Sequence, residues 1–544
     1  MSYKRNRTPN NVILDSNILP QSRAKLSTFN LSEGLTTTIQ FDKLYPLYWQ
    51  ELNPNDHFEV TVKSLGRLMP MITAPMSNIK MKYFAFWVPN RLLWEHWNNF
   101  MGERTYQSST TDYTIPQINM KHQANVVGGI ADYLGVPPTQ LDTTFSVSAL
   151  PFRAYNKIWN EWFRANQLQA EVKEISADSG DTLDDYRVLK KGKPLDYFTS
   201  CLPSPQAGDP VTIGIGGEAL VKTTDQVTKL NMGYDPSNPY VVYTGEGIMG
   251  VDDPDKTYID IYTQNVTGSG VPNAAKGRNT NLYADMSEVT GITIEQLRNA
   301  SAIQVLLEKD NRAGELYIDL MKEHFGTTVP DFLVGRSQFL GSTTTYVQAE
   351  PIAQTSETAG TPQGNLSAVG YVAENEKLCE VSAVEHGIFM IMGCVTGEVT
   401  YQQGLDRKFS KLGRYDYMFP EFWNLGEQTV LNKEIYLAPD GTGIIKNDGI
   451  FGYNDRYKEL RTGISKISGY MRSGVTGSLD AWHLAQKFNN APRLNSEFIE
   501  CNTPIDRVLA APSEDHMLLN VYWDVKATRS LPVSPNPSLI TGRI

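Results

Sequence analysis

Cysteine is scarce in this chain: Cys201, Cys379, Cys394 and Cys501 are the four thiols in 544 residues, and none belongs to a Cys-x-x-Cys pair. That spacing argues against a disulfide framework and a zinc ribbon, and predicts reduced, mostly buried thiols. Long apolar runs are missing too. No stretch approaches the roughly 18 consecutive apolar residues of a membrane-spanning helix. Met1 to Asn10 is polar and basic, without the apolar region of a secretory signal, so no passage through a membrane is expected.

Catalytic signatures are equally thin. The seven histidines, His57, His96, His122, His324, His386, His483 and His516, include no His-Glu-x-x-His and no pair four apart that would grip a metal from one helix face. His96 and His483, each close to a tryptophan, are expected to be hydrogen-bonded and half-buried. The chain has no Gly-x-Ser-x-Gly elbow and no phosphate-binding Gly-x-x-x-x-Gly-Lys-Ser/Thr loop. A glycosidase carboxylate pair has no fixed spacing, so the sequence leaves that chemistry open but unsupported. Gly245-Glu246-Gly247-Ile248-Met249-Gly250 matches the dinucleotide fingerprint, yet Val251-Asp252-Asp253-Pro254-Asp255 follows and cannot open the helix that motif requires. The acidic cluster Asp252, Asp253, Asp255 and Asp260 lacks the glycine and distal glutamate of a calcium loop, and a solvated turn is expected there. No metal or cofactor is expected.

What is present is a loop-rich globular composition. Apolar residues make up 40%, charged residues 20%, and 42 Gly and 30 Pro supply turns. The formal charge is -11. It is segregated: Lys4, Arg5, Arg7, Arg23 and Lys25 face only Asp15 in the first 25 residues, an arm of net +4. Such an arm is either a solvated tail or a surface for nucleic acid.

Hydrophobic alternation predicts strands over 56–65, where Phe58, Val60 and Val62 share a face, and over 517–526, where Met517, Leu519, Val521, Trp523 and Val525 do. Further strands are expected over 80–88, 385–401 and 430–437. A 3.6-residue period predicts a helix through Leu93, Trp94, Trp97, Phe100 and Met101, ending at Gly102, and another through Tyr155, Ile158, Trp159, Trp162 and Phe163. Thr293 and Gln296 form a capping box ahead of Ile294, Leu297, Leu306 and Leu307; a further helix carries Leu316, Leu320, Met321 and Phe325 up to Gly326. All four are expected to be packing helices. Residues 210–289 turn polar and turn-rich, an inserted excursion, and 353–364 is expected to be a long loop. Strands at both ends with helices between them suit a mainly β, Greek-key sandwich with enlarged loops.

One segment stands apart. Tyr415, Tyr417, Phe419, Phe422 and Trp423 place five rings in nine positions, with Pro420 interrupting any helix. Such ring area is covered by the chain's own core or by another subunit. Arg414 and Asp416 beside it are expected to be structural partners.

This segment, with Arg414-Tyr415-Asp416-Tyr417, Leu425-Gly426-Glu427-Gln428 and Leu431-Asn432-Lys433-Glu434-Ile435-Tyr436, resembles the major capsid protein of gokushovirus-type microviruses, small single-stranded DNA phages. Further matches are Phe86 to Trp94, Asn99 to Glu103, Tyr155 to Arg164, Thr361 to Leu366, Thr400 to Leu405, Phe451 to Tyr453, Trp482 to Leu484 and Thr503 to Val508. The resemblance covers residues 27–210 and 290–530.

It implies an eight-stranded antiparallel viral jelly roll with long, partly helical insertions. It implies a structural protein, not an enzyme, with about 60 copies in a T=1 icosahedral shell around a circular single-stranded DNA genome. The implied partners are that genome, a small basic packaging protein, a minor pilot protein and a host receptor; the implied location is the virion, assembled in the bacterial cytoplasm. On this basis the chain divides into a basic arm and extended segment (1–40), a first body part (41–209), a surface excursion (210–289) and the rest of the body (290–544). Lys4, Arg5, Arg7, Arg23 and Lys25 are the candidate nucleic-acid-facing residues. Tyr240, Tyr243, Tyr258 and Tyr262 are the candidate host-facing ones. Family members carry Arg, His and Lys after Ser-Thr-Phe-Asn, whereas this chain has Leu31-Ser32-Glu33-Gly34-Leu35-Thr36, so no DNA contact is carried over there. The competing reading is a β-sandwich that binds or cleaves carbohydrate; the free thiols and absent signal count against a secreted protein of that kind.

Overall fold

The computed structural model describes residues 26–104, 112–120, 126–138, 144–213, 292–314, 316–331, 335–357, 364, 366–438 and 446–533, together with four short strands inside 214–291. Packing of the chain separates two compact units, one made of the residues up to Gly208 and from Leu307 onward, the other Asp209–Leu306.

In the first unit the strands are β1 (Ser27–Asn30), β2 (Glu33–Ile39), β3 (Tyr45–Leu52), β4 (His57–Leu68), β5 (Ile79–Pro89), β6 (Gln117–Met120) and β7 (Phe145–Ser148). The second unit holds β8 (Leu220–Thr223), β9 (Val242–Thr244), β10 (Gly247–Met249) and β11 (Leu282–Asp285). The first unit resumes with β12 (Gln338–Ala353), β13 (Leu366–Ser382), β14 (Gly387–Gly397), β15 (Glu427–Leu431), β16 (Ile450–Asp455) and β17 (Met517–Arg529).

The main sheet runs β1-β17-β4-β13-β12-β5-β14-β3, every pair antiparallel, and β2 shares the edge of β17 with β1. The sheet curls into a jelly-roll-like sandwich. Strand β12 joins the two halves: its first part pairs with β5, its last part with β13. A bulge between Phe339 and Gly341 interrupts its register with β5. A Cβ on Gly341 would stand 2.5 Å from the Leu378 carbonyl oxygen, so no larger residue fits that approach.

Alternation dictates the interior. Phe58, Val60 and Val62 of β4 meet Met517, Leu519, Val521, Trp523 and Val525 of β17, with Met81, Tyr83 and Ala85 of β5 from the other half. Trp523 lies edge-on to Tyr83 at 5.7 Å. Each such side chain contributes roughly 1.5–3 kcal/mol by leaving water. Strand β14 is buried along its whole length. Phe389 and Ile391 face this core, while Ile388, Met390 and Met392 face a second one, capped by Phe152, Tyr155, Ile158 and Trp159 of the helix Leu150–Trp162. A third cluster, around Tyr197, Phe198, Tyr401, Val430 and Phe451, underlies the β15–β16 hairpin. All four cysteines are free and buried.

Three expectations need correction. The helix through 93–101 is two single turns, Asn90–Leu93 and Trp97–Phe100, with Trp94 extended between them. The Leu93 carbonyl is taken by Arg153 Nη1 at 2.9 Å and the Glu95 N–H by the Ser176 carbonyl at 3.0 Å, which removes both groups from a continuing ladder. Met101 is exposed rather than core. The strand over 430–437 ends at Leu431, where Glu434 Oε1 accepts from the Leu431 N–H at 2.9 Å and closes the turn Asn432–Ile435. Finally, Thr293 and Gln296 do cap the helix Ile294–Ala313 reciprocally, and Gly326 ends Tyr317–Phe325 in a left-handed conformation. Yet Ile294, Leu297, Leu306 and Phe325 are exposed: capping fixes where a helix starts and stops, not what covers its apolar face.

Candidate functional site

The aromatic segment is built on a rigid platform. The Arg407 guanidinium donates to Glu434 Oε1 at 3.0 Å and to the Thr429 carbonyl at 2.7 Å, and the Tyr197 hydroxyl donates to Glu434 Oε2 at 2.8 Å. Burial pushes the Glu434 carboxyl up, with the Leu431 N–H and Arg407 opposing. Lys411 is held 3.1 Å from Glu459. From this base the chain makes two short 3-10 turns, Arg414–Asp416 and Pro420–Phe422, and proline at the start of the second replaces an N–H that would have no partner. Asp416 accepts from the N–H groups of Gly413 (2.7 Å) and Leu412 (3.0 Å), bonds that hold its carboxyl below the usual range.

The rings divide into two sets. Phe419 and Phe422 are half-buried, edge to face at 6.0 Å, with Arg414 5.7 Å over Phe419 and Arg456 6.0 Å over Phe422. Tyr457 ties them down: its hydroxyl accepts from the Phe419 N–H at 3.4 Å. Tyr415, Tyr417 and Trp423 point outward, 70%, 58% and 61% exposed, flanked by Phe409, Leu412, Met418 and Leu425, which are also exposed. The chain's own core therefore leaves three of the five rings uncovered. Arg414 and Asp416 act inside the segment, one on a ring and one on its backbone.

Other expected sites fall differently. Lys4, Arg5, Arg7, Arg23 and Lys25 lie outside the described residues, as do Tyr240, Tyr258 and Tyr262; Tyr243 belongs to the backbone of β9, and its side chain is not described. Of the dinucleotide-like motif, Gly247–Met249 is strand β10, paired antiparallel with Val242–Thr244 (Thr244 opposite Gly247); Gly245, Glu246 and Gly250 lie outside the described residues. Asp252, Asp253, Asp255 and Asp260 lie outside the described residues. His483 is buried, accepting from the Ala485 N–H at 3.0 Å, and burial lowers its pKa. His96 pairs with Asp178 at 2.8 Å. Among the described residues, His57, Glu59 and Glu380 could offer a metal three atoms within 4.8 Å of one another, but Lys377 already holds Glu380 at 2.8 Å.

Sequence reasoning missed a second feature, a cavity of about 220 Å³ lined by Lys80, Lys82 and Lys191. Lys80 and Lys82 lie on one face of β5, a pattern visible in the sequence only once the strand's neighbours are known.

Comparison with known proteins places the whole chain. Residues 16–539 match the family described as "Capsid protein (F protein)". Capsid protein VP1 of Chlamydia phage 1 is 34% identical over 96% of this chain and 97% of its own length. Capsid protein VP1 of Bdellovibrio phage phiMH2K is 37% identical over 93% of each chain, and that of Spiroplasma virus 4 is 30% identical over 91% of this chain and 92% of its own. The chain belongs to the capsid protein (F protein) family, the major capsid proteins of the microviruses.

Proposed function

We propose that this chain closes into a T=1 icosahedral shell of about 60 copies around a circular single-stranded DNA genome, and that Tyr415, Tyr417 and Trp423 are anchors between neighbouring subunits. The observation that carries the reading is the exposed ring surface on a rigid platform, in a chain whose relatives are capsid proteins. Tyrosine and tryptophan supply large contact area at low entropic cost, and an exposed apolar patch of this kind marks an interaction surface. Half-buried Phe419 and Phe422 keep the outer rings fixed before association, which lowers the ordering cost. The mechanism is mechanical: many modest contacts repeated by closed symmetry.

The rest of the reading follows the charge. With -11 overall, the chain repels phosphate unless positive charge is gathered locally. The arm 1–25, within the segment 1–40, is the candidate for that, helped by a small basic packaging protein. Within this scheme 41–209 and 290–544 form the body, and the excursion 210–289 projects outward to meet a host receptor; a minor pilot protein completes the particle, assembled in the bacterial cytoplasm.

The test is particle formation. Purified protein with its partners should give particles on the order of tens of nanometres across by negative-stain microscopy and light scattering. Trp423→Ala with Tyr415→Ala should leave the folded monomer intact and abolish closed particles, because each truncation of such an anchor costs about 2 kcal/mol or more per contact. A wild-type chain that stays monomeric under all conditions sinks the shell, and particles that form normally from the double variant remove these rings from the interface.

A further inference from the structure

The strongest unassigned feature is the lysine-lined cavity. On the outer face of β5, Phe84, Phe86 and Val88 are covered by the second core, whereas Lys80 and Lys82, on the same face one turn of the pleat earlier, open into the cavity. Lys82 lies in register between Cys394 of β14 and Thr344 of β12, so the sheet fixes its position from both sides. Lys191 comes in from the segment after the helical insertion, tied down by Lys191 N–H to the Asp42 carbonyl at 2.8 Å and by its own carbonyl to Cys501 N–H at 2.9 Å.

These ammonium groups have almost nothing to bind. Lys191 Nζ donates to the Gly192 carbonyl at 3.0 Å, Lys80 Nζ stands 5.4 Å over the Tyr346 ring, and Lys82 has neither ion pair nor hydrogen bond among the described residues. Two carboxylates, Asp196 and Glu398, also line the cavity, but both already accept hydrogen bonds from neutral donors and neither forms an ion pair with these lysines among the described residues. Asp196 accepts from the Phe198 and Thr199 N–H groups and from the Tyr401 hydroxyl, each at 2.8 Å. Glu398 accepts from Asn78 Nδ2 at 2.6 Å. Asp42 is bonded by the Thr503 N–H and hydroxyl. Burial, then the like charges of Lys191 and Lys80, lower the pKa of Lys82. Three cations gathered in a half-desolvated cavity repel one another, and an oxyanion with several acceptor atoms relieves that repulsion while satisfying donors.

We propose that this cavity is a phosphate-binding site, in which Lys80, Lys82 and Lys191 together hold an oxyanion of the phosphate class. The source we assign is a phosphodiester of the packaged strand, an assignment that rests on the shell reading above; the site itself does not depend on it. Lysine suits this role, since a compact charge on a flexible stem follows a phosphate without demanding one orientation.

The experiment uses the full chain and inorganic phosphate at constant ionic strength, with chloride as the balancing salt. Reductive methylation read by mass spectrometry should label Lys82 and Lys191 more slowly as phosphate rises, with saturation, while Lys433, paired with Asp448 away from the cavity, is unaffected. Calorimetric titration should show Lys82→Gln weakening phosphate binding about tenfold, the loss of one charge-assisted contact. Labelling that ignores phosphate, or falls equally with chloride, overturns the site, and it does so on wild-type protein without relying on a variant to fold. A short thymidine oligonucleotide supplies the second arm. Protection of the same lysines supports the strand as source. Protection by phosphate alone keeps the site and rejects the strand. Oligonucleotide binding that leaves Lys82 and Lys191 fully reactive rejects the strand as the source, while the site stands or falls on the phosphate arm and the shell reading is untouched.

Discussion

Asp181 and Glu374 are two buried carboxylates with opposite solutions to the same desolvation cost. Asp181 meets Arg153 through two bonds, Nε to Oδ1 at 3.0 Å and Nη2 to Oδ2 at 2.6 Å, while Nη1 donates to the Leu93 carbonyl and Nη2 also to the Ala177 carbonyl. Every charge there is paired, which is the condition under which a buried ion pair is tolerated. Glu374 on β13 has no such partner: it is 7% exposed and neither oxygen meets a donor at bonding geometry. Burial pushes its carboxyl above the usual range; the hydroxyls of Thr343 and Thr345 oppose the shift from outside bonding geometry. Because the folded value lies above the unfolded one, the stability tied to the neutral carboxyl is present at low pH and is lost as pH rises through the folded value. Glu374→Gln should therefore match the wild type near about pH 4 and exceed it by about 1–3 kcal/mol near about pH 8. Denaturant melts across that range would check it; a difference that does not change with pH would remove Glu374 as the titrating group.

At the scale of elements, β14 explains why the helical insertion exists. A strand buried on both faces needs a cover on each, and Leu150–Trp162 supplies the outer one. Trp159 packs into that cover and donates from Nε1 to the Lys190 carbonyl at 3.0 Å. Trp159→Ala should cost about 3–5 kcal/mol, read as a lower denaturant midpoint, because the cavity would form beneath a helix fixed at both ends. An unchanged midpoint would mean that the cover is dispensable. Much of this layer was legible beforehand. Alternation gave β4 and β17, and the 3.6-residue period gave this helix, since each depends on side chains close in sequence. The break at Trp94 was not legible, because the groups that cause it belong to Arg153 and Ser176. Strand order was equally hidden: β5 lies between β12 and β14, and no local signal encodes that. The candidate sites follow the same rule. The ring cluster at 415–423 was visible as one contiguous run, whereas the lysine cavity joins Lys82 to Lys191 only through the fold.

For the whole molecule, the decisive question is what may be removed without losing the shell. The three buried clusters are built entirely from residues up to Gly208 and from Leu307 onward, so that unit carries its own stabilising core. Within Asp209–Leu306, β8 and β11 pair antiparallel, Leu220 opposite Asp285 and Thr223 opposite Leu282. The chain therefore leaves and returns through one two-stranded ladder, and the stretch between can be shortened without separating its ends. Loop-closure entropy grows slowly with length, about 0.6 kcal/mol per doubling, so shortening should alter stability little. On the shell reading, deletion of residues 224–281, the stretch between the two ladder strands, should leave particle assembly intact by negative-stain microscopy, while adsorption to the host falls below detection. Particles that fail to form would move this segment into the contacts between subunits. Particles that form and still adsorb would place host attachment on another surface, and the exposed aromatic segment at 415–423 would then be the next to truncate.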